Sequence, residues 1–290
     1  MKVHLETLVV VFGTLIVLAL ALNLAGCTST ATPTAAGGKV RVVVSILPQA
    51  YFVERIGGDR VEVTVMVPPG ASPATYEPTA GQMRDLSQAD VYVRIRVPFE
   101  EAWMDKIAAA NPGMLIVDSS AGIERIGGKD PHIWLSPRLV KVQAENIYQG
   151  LIEVDPEHAG FYAQNKEQFV ADLDALDAEI AETLAGVKGK KFMVFHPAWS
   201  YFARDYGLEQ IPVEVEGKEP SAAELAELIE TAKTNDIEVI FVSPQFSTRS
   251  AETIARQIGG KVVFVDPLAR DWMNNLRSVA RTLAQEMKEK

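Results

Sequence analysis

Residues 155–195 read DPEHAGFYAQNKEQFVADLDALDAEIAETLAGVKGKKFMVF, and the way this stretch divides decides the fold. Phe169, Leu173, Leu176, Ile180 and Leu184 recur at spacings of three and four, which draws one apolar stripe along a helix. Asp155 as N-cap with Pro156 in the first helical position predicts the start, and Gly186 is placed to stop the helix near Ala185. At ~1.5 Å per residue, about 30 residues make a rod of roughly 45 Å, long enough to run along two lobes. These residues alone leave two readings open, a rigid bridge between lobes and a long surface helix of a single domain. After Lys188-Gly189-Lys190 the apolar run KFMVF begins a new set of strands.

Working outward, short β-branched runs alternate with helical patterns on both sides of this stretch. VRVVVSI, VEVTVMV, VYVRI and MLIVD precede it, and KFMVF, IEVIFV and KVVFV follow. Such alternation predicts an α/β fold with parallel sheets covered by helices. The runs are nearly continuous in apolar residues, as expected of strands covered on both faces. Helix starts are marked by the pairs Ser221 with Glu224 and Thr79 with Gln82, both of capping-box form.

The 290 residues, 48% of them hydrophobic, suffice for two lobes with their own cores. A formal charge of −10 argues against a nucleic-acid partner, which would need clustered Lys and Arg. The single cysteine, Cys27, provides neither a disulfide framework nor a thiolate metal cage. It follows Lys2, an apolar stretch from Leu8 to Leu22, and Leu24-Ala25-Gly26. That order predicts a signal peptide over 1–26 and lipidation of Cys27, with an uncleaved anchor helix as the alternative. Residues 27–38, rich in Thr, Ala, Pro and Gly, predict a flexible tether. The division expected beyond it is a first α/β lobe over 39–154, the long helix over 155–187 and a second α/β lobe over 188–290.

In open parallel sheets, ligands bind beyond the carboxyl ends of the strands. His196 directly follows KFMVF and Asp266 directly follows KVVFV, while His132 lies in the loop DPHIWLSP before a Ser136-Pro137 helix start. The loop PPGASPATYEPTAGQ, residues 68–82, follows VEVTVMV in the same manner. Of the other histidines, His4 belongs to the signal and His158 to the first turn of the long helix, and neither calls for a function.

The stretches GASPATYEPT, DPHIWLSPRLVK, FHPAWSYFARDYGL, EPSAAELAELIE and VVFVDPLARDW, in that order, resemble the zinc/manganese solute-binding proteins of ABC importers, which have the TroA-like fold. The resemblance runs from about Val40 to the C-terminus. It implies two α/β lobes bridged by one long rigid helix, with a divalent metal held in the cleft and delivered to a permease and its ATPase. It carries metal-ligand roles onto His132, His196 and Asp266, while Ala74 falls where the family has its first histidine. Histidine at position 196 points to Zn2+, with Mn2+ as the alternative, since imidazole suits zinc and hard oxygen suits manganese. The histidine-rich loop that many zinc members carry before the DPH motif is replaced here by GIERIGGKD.

With Ala74 in the first position, two His and one Asp leave a tetrahedral site one donor short. Water, the second oxygen of Asp266, Tyr76 or Glu77 could fill it, and Glu77 is the first choice among protein groups. Asp130 either orients the His132 ring or fixes its turn, with the turn favoured. Glu100, Glu101, Lys288 and Lys290 read as solvated positions, and Trp103, Trp134, Trp199 and Trp272 as packing residues. A catalytic zinc is also built from three protein donors and a water, but HExxH, G-x-S-x-G and P-loop motifs are all absent. The expectation is thus an extracytoplasmic, lipid-anchored and monomeric metal-binding subunit rather than an enzyme. A member repurposed for another solute, or a surface adhesin, is the alternative.

Overall fold

The first sheet is built on β1 (Val40–Val44), which pairs in parallel with β2 (Val61–Val65) and β3 (Val91–Arg94), while β3 pairs with β4 (Leu115–Asp118). The computed structural model describes residues 38–288 apart from 216, so the expectations for the signal, Cys27 and most of the tether lie outside the described residues. Helices α1 (Leu47–Gly57), α2 (Ala80–Leu86) and α3 (Pro98–Ala110) make the crossovers. The second sheet repeats the plan: β5 (Lys191–Val194) lies between β6 (Glu209–Pro212) and β7 (Val239–Val242), and β8 (Lys261–Phe264) pairs with β7. Its crossovers are α6 (Ser200–Tyr206), α7 (Ala222–Thr234) and α8 (Arg249–Ile258). Strand orders are β2-β1-β3-β4 and β6-β5-β7-β8. In each, the winding reverses between the two central strands, and that reversal opens a crevice at their carboxyl ends.

Helices α4 (Pro137–Val154), α5 (Ala159–Thr183) and α9 (Trp272–Glu286) lie between and along the sheets. The predicted stripe is the buried face of α5 and its C-cap: Phe169, Leu173, Leu176 and Ile180 in the helix and Leu184 at the cap are each fully buried. The start differs from expectation. Asp155 precedes a 3-10 turn, Pro156–His158, and the α-helix begins only at Ala159. The Asp155 carboxylate is occupied elsewhere, accepting from Tyr162 OH at 2.6 Å and pairing with His158 Nδ1 at 2.8 Å, so it caps no helical N–H. At ~1.5 Å per residue the 25 residues of α5 make a rod of roughly 37 Å.

A second rod reinforces this one. Arg277 and Arg281 of α9 both pair with Glu179 of α5, at 2.7 and 3.2 Å. The start of α9 meets the first lobe, where Trp272 packs edge-on against Phe52 at 5.1 Å. Its far end meets the second, where Lys190 Nζ donates to Met287 O at 2.8 Å. One apolar core runs from the first sheet through these helices to one face of the second sheet, including Phe192, Val194, Val239 and Phe241. The alternate residues Met193, Phe195, Ile240 and Val242 build a separate core on the other face, as the period of two requires. Among the described residues, no helix is long and apolar enough to cross a membrane.

Glu100 corrects the expectation of a solvated helix face: it is fully buried. The chain reverses at Arg96, whose φ is +58°, and the carboxylate turns back to accept the N–H groups of Ile95 and Arg96 and the Ser45 hydroxyl. Burial pushes its pKa above the usual carboxylate value against the pull of these donors. In the first sheet, Glu100 thereby plugs the crevice at the winding reversal. In the second sheet the equivalent crevice holds His196.

Candidate metal centre

His132 is fixed by its own loop. Asp130 Oδ1 accepts from the His132 backbone N–H at 3.0 Å and pairs with its ring Nδ1 at 2.7 Å, so Asp130 both makes the turn and orients the imidazole. Tyr201 OH donates to Asp130 O at 2.8 Å and accepts from Ile126 N at 3.0 Å, which ties the loop to α6. Downstream, Ile133, Trp134 and Leu135 are buried and Ser136 caps α4 by accepting from Leu139 N. Burial depresses the pKa of His132 below the ordinary imidazole value, with Asp130 opposing.

His196 follows β5 by two residues. Its Nδ1 lies 2.9 Å from Glu214 Oε1, a buried carboxylate two residues beyond β6. The ring stacks on Phe246 with centroids 4.5 Å apart and planes 23° apart. Carboxylates only accept, so each histidine carries a proton on Nδ1, which leaves Nε2 as the nitrogen that can bind a cation when the ring is neutral. Those two Nε2 atoms face each other at 3.2 Å. Two lone pairs at that separation repel unless a proton or a cation lies between them. Ligands about 2.0–2.1 Å from a tetrahedral zinc lie roughly 3.3 Å apart, so the observed spacing fits two nitrogens on one ion.

The rings line a small, largely apolar cavity of about 150 Å³ together with Ala74, Trp134, Gln245, Phe246 and Leu268. Asp266 is placed differently. Its Oδ1 accepts from Gln245 Nε2 and from Leu268 N, both at 2.9 Å, and it lines a larger neighbouring cleft with Pro68, Gly70, Gln245 and Arg270. The structure thus brings His132 and His196 together and places Asp266 in the adjoining cleft, with Gln245 lining both. Among the described residues, no three His, Cys, Asp or Glu side chains converge closely enough to hold a metal ion. Glu77 is exposed and lines neither cavity.

Two tryptophans couple the loops that carry these groups. Trp134 Nε1 donates to Pro267 O at 2.7 Å and Trp272 Nε1 donates to Trp134 O at 2.8 Å, so the residues after His132 and Asp266 are locked together. Trp134, Trp199 and Trp272 are buried and Trp103 is partly so, consistent with packing. Glu214, Gln245 and Phe246 were not singled out from sequence. Gln245 and Phe246 sit just beyond β7, which was the available signal, whereas Glu214 follows β6, a strand without an apolar run.

Two similar α/β lobes, a stiff helical spine and a crevice lined by facing imidazoles define the class: a two-lobed binding protein. The chain belongs to the ZnuA family, zinc-uptake complex component A, periplasmic, which it matches over residues 42–286. It is 29% identical over 282 residues to the high-affinity zinc uptake system protein ZnuA of Bacillus subtilis (strain 168), covering 88% of each chain. A crystal structure of ZnuA superposes with a TM-score of 0.84 at 48% identity, covering 86% of this chain and 100% of that one. The laminin-binding protein Lmb of Streptococcus agalactiae, described as bifunctional with adhesin and metal transporting activity, superposes with a TM-score of 0.78 at 26% identity. That match covers 86% of this chain and 100% of Lmb.

Proposed function

We propose that this protein captures Zn2+ outside the cytoplasm and delivers it to the permease and ATPase of an ABC importer. The observation that carries the reading is the pair of Nε2 atoms facing each other at 3.2 Å, each imidazole held by a carboxylate on its far side. Imidazole donors favour zinc over manganese. Asp266, whose Oδ1 is already doubly hydrogen-bonded, keeps Oδ2 for the ion, and the Trp134–Pro267 bond holds its loop beside the His132 loop. Zinc is the cargo, so the chain performs capture and release rather than turnover. Lipidation at Cys27, with 27–38 as tether, would keep a monomeric body at the outer face of the membrane.

Calorimetric titration of the metal-free protein with Zn2+ and Mn2+ tests this reading. One-to-one zinc binding tighter than manganese binding is expected. Absence of zinc binding, or loss of preference for zinc, would overturn it.

A further inference from the structure

Gln245 lies three residues beyond β7, in the crevice where the winding of the second sheet reverses, and it alone among polar side chains lines both the histidine cavity and the Asp266 cleft. Its two amide atoms are in unequal circumstances. Nε2 donates to Asp266 Oδ1 at 2.9 Å, and because a carboxylate can only accept, this bond fixes which branch is nitrogen. Oε1 is buried and has no hydrogen-bond partner. A buried carbonyl oxygen without a partner costs about 1–3 kcal/mol, and buried polar groups in native proteins nearly always have one. Ala74, across the same cavity, offers no donor from its side chain.

We propose that Gln245 Oε1 is the oxygen donor that completes the cation site, in place of a side-chain donor at position 74. The inference rests on the zinc-capture reading above. Gln245 then serves two groups at once: its N–H holds Asp266 in place while its C=O faces the ion beside His132 and His196. The donor set becomes two imidazole nitrogens, one carboxylate oxygen and one amide oxygen, which fills four positions without Glu77. The ion in turn satisfies a buried carbonyl oxygen that has no hydrogen-bond partner in the folded protein.

The test is zinc titration of Gln245→Leu, of Asp266→Ala and of the double variant, with the visible absorption of the Co2+-loaded proteins as a second readout. The expected result is at least about a tenfold loss of zinc affinity in Gln245→Leu, since even groups that only support a metal ligand contribute 10–100-fold. A loss of similar size should recur in the Asp266→Ala background, and the cobalt band should change in intensity. If the loss disappears in that background, Gln245 acts only by positioning Asp266 and the proposal fails. Unchanged affinity and an unchanged cobalt spectrum in Gln245→Leu would overturn it as well. His132→Ala separates the two levels: wild-type zinc binding in that variant removes the His132–His196 site on which the capture reading rests, whereas loss there beside an unaffected Gln245→Leu removes only the amide donor. Circular dichroism melting of each variant confirms that the protein titrated is folded.

Discussion

Replacing Glu214 with alanine removes the acceptor that holds the proton of His196 on Nδ1. The carboxylate is 2.9 Å from Nδ1 and its side chain is only 7% exposed, so water cannot readily take its place. Without it the imidazole is free to move its proton to Nε2, where the lone pair for the cation should be, and to rotate off the Phe246 ring. Losing such a partner costs about 10–100-fold in metal affinity, which converts to about 1.4–2.7 kcal/mol. Glu214→Gln should fall less, because its amide oxygen still accepts from Nδ1–H and keeps the tautomer while the charge is lost. Isothermal titration with zinc, run on both variants and the parent, reads these differences directly. Wild-type affinity in Glu214→Ala would refute the argument that the carboxylate sets the tautomer of His196.

Further outcomes follow from the same geometry. Zinc affinity should fall on acidification, by as much as about tenfold per pH unit for each imidazole that must shed a proton to bind the ion. Because burial lowers the pKa of His132, protons compete there only at lower pH than for a free imidazole; titrations across pH 5–8 that show affinity rising on acidification would contradict this sign. Leu173→Ala empties a fully buried position in the α5 stripe and should cost about 2–5 kcal/mol in chemical denaturation, with a loss under about 1 kcal/mol counting against α5 as a packed spine. Ala74→His adds a nitrogen donor to the histidine cavity, where imidazole can take the place of the neutral amide oxygen of Gln245, and should tighten zinc binding; unchanged or weaker binding would place position 74 outside the site.

Both sheets were legible because seven of the eight strands described are apolar runs, and the α5 stripe was legible from its spacing alone. Strand β6 was not: Glu209–Pro212 carries Ile211 as its only large apolar side chain, ends in proline and pairs with β5 alone, so it has the weak signature of an edge strand. Missing β6 hid Glu214, whose position is set by the end of that strand rather than by any motif. Glu100 was misread because helix position predicts exposure only when the flanking chain runs on. Here the positive φ of Arg96 folds two N–H groups back onto the carboxylate. His132, His196 and Asp266 were read at strand ends and through the family resemblance, but no motif marked Gln245, which bonds Asp266 and also lines the histidine cavity.

The central claim is that one zinc ion is held between His132 and His196. A crystal of the zinc-loaded protein, measured on both sides of the zinc absorption edge, tests it most directly. A single anomalous peak is expected about 2.0–2.1 Å from both Nε2 atoms, the ordinary zinc–imidazole distance. A peak bound to only one of the two rings, or lying in the larger cleft away from both, would contradict it.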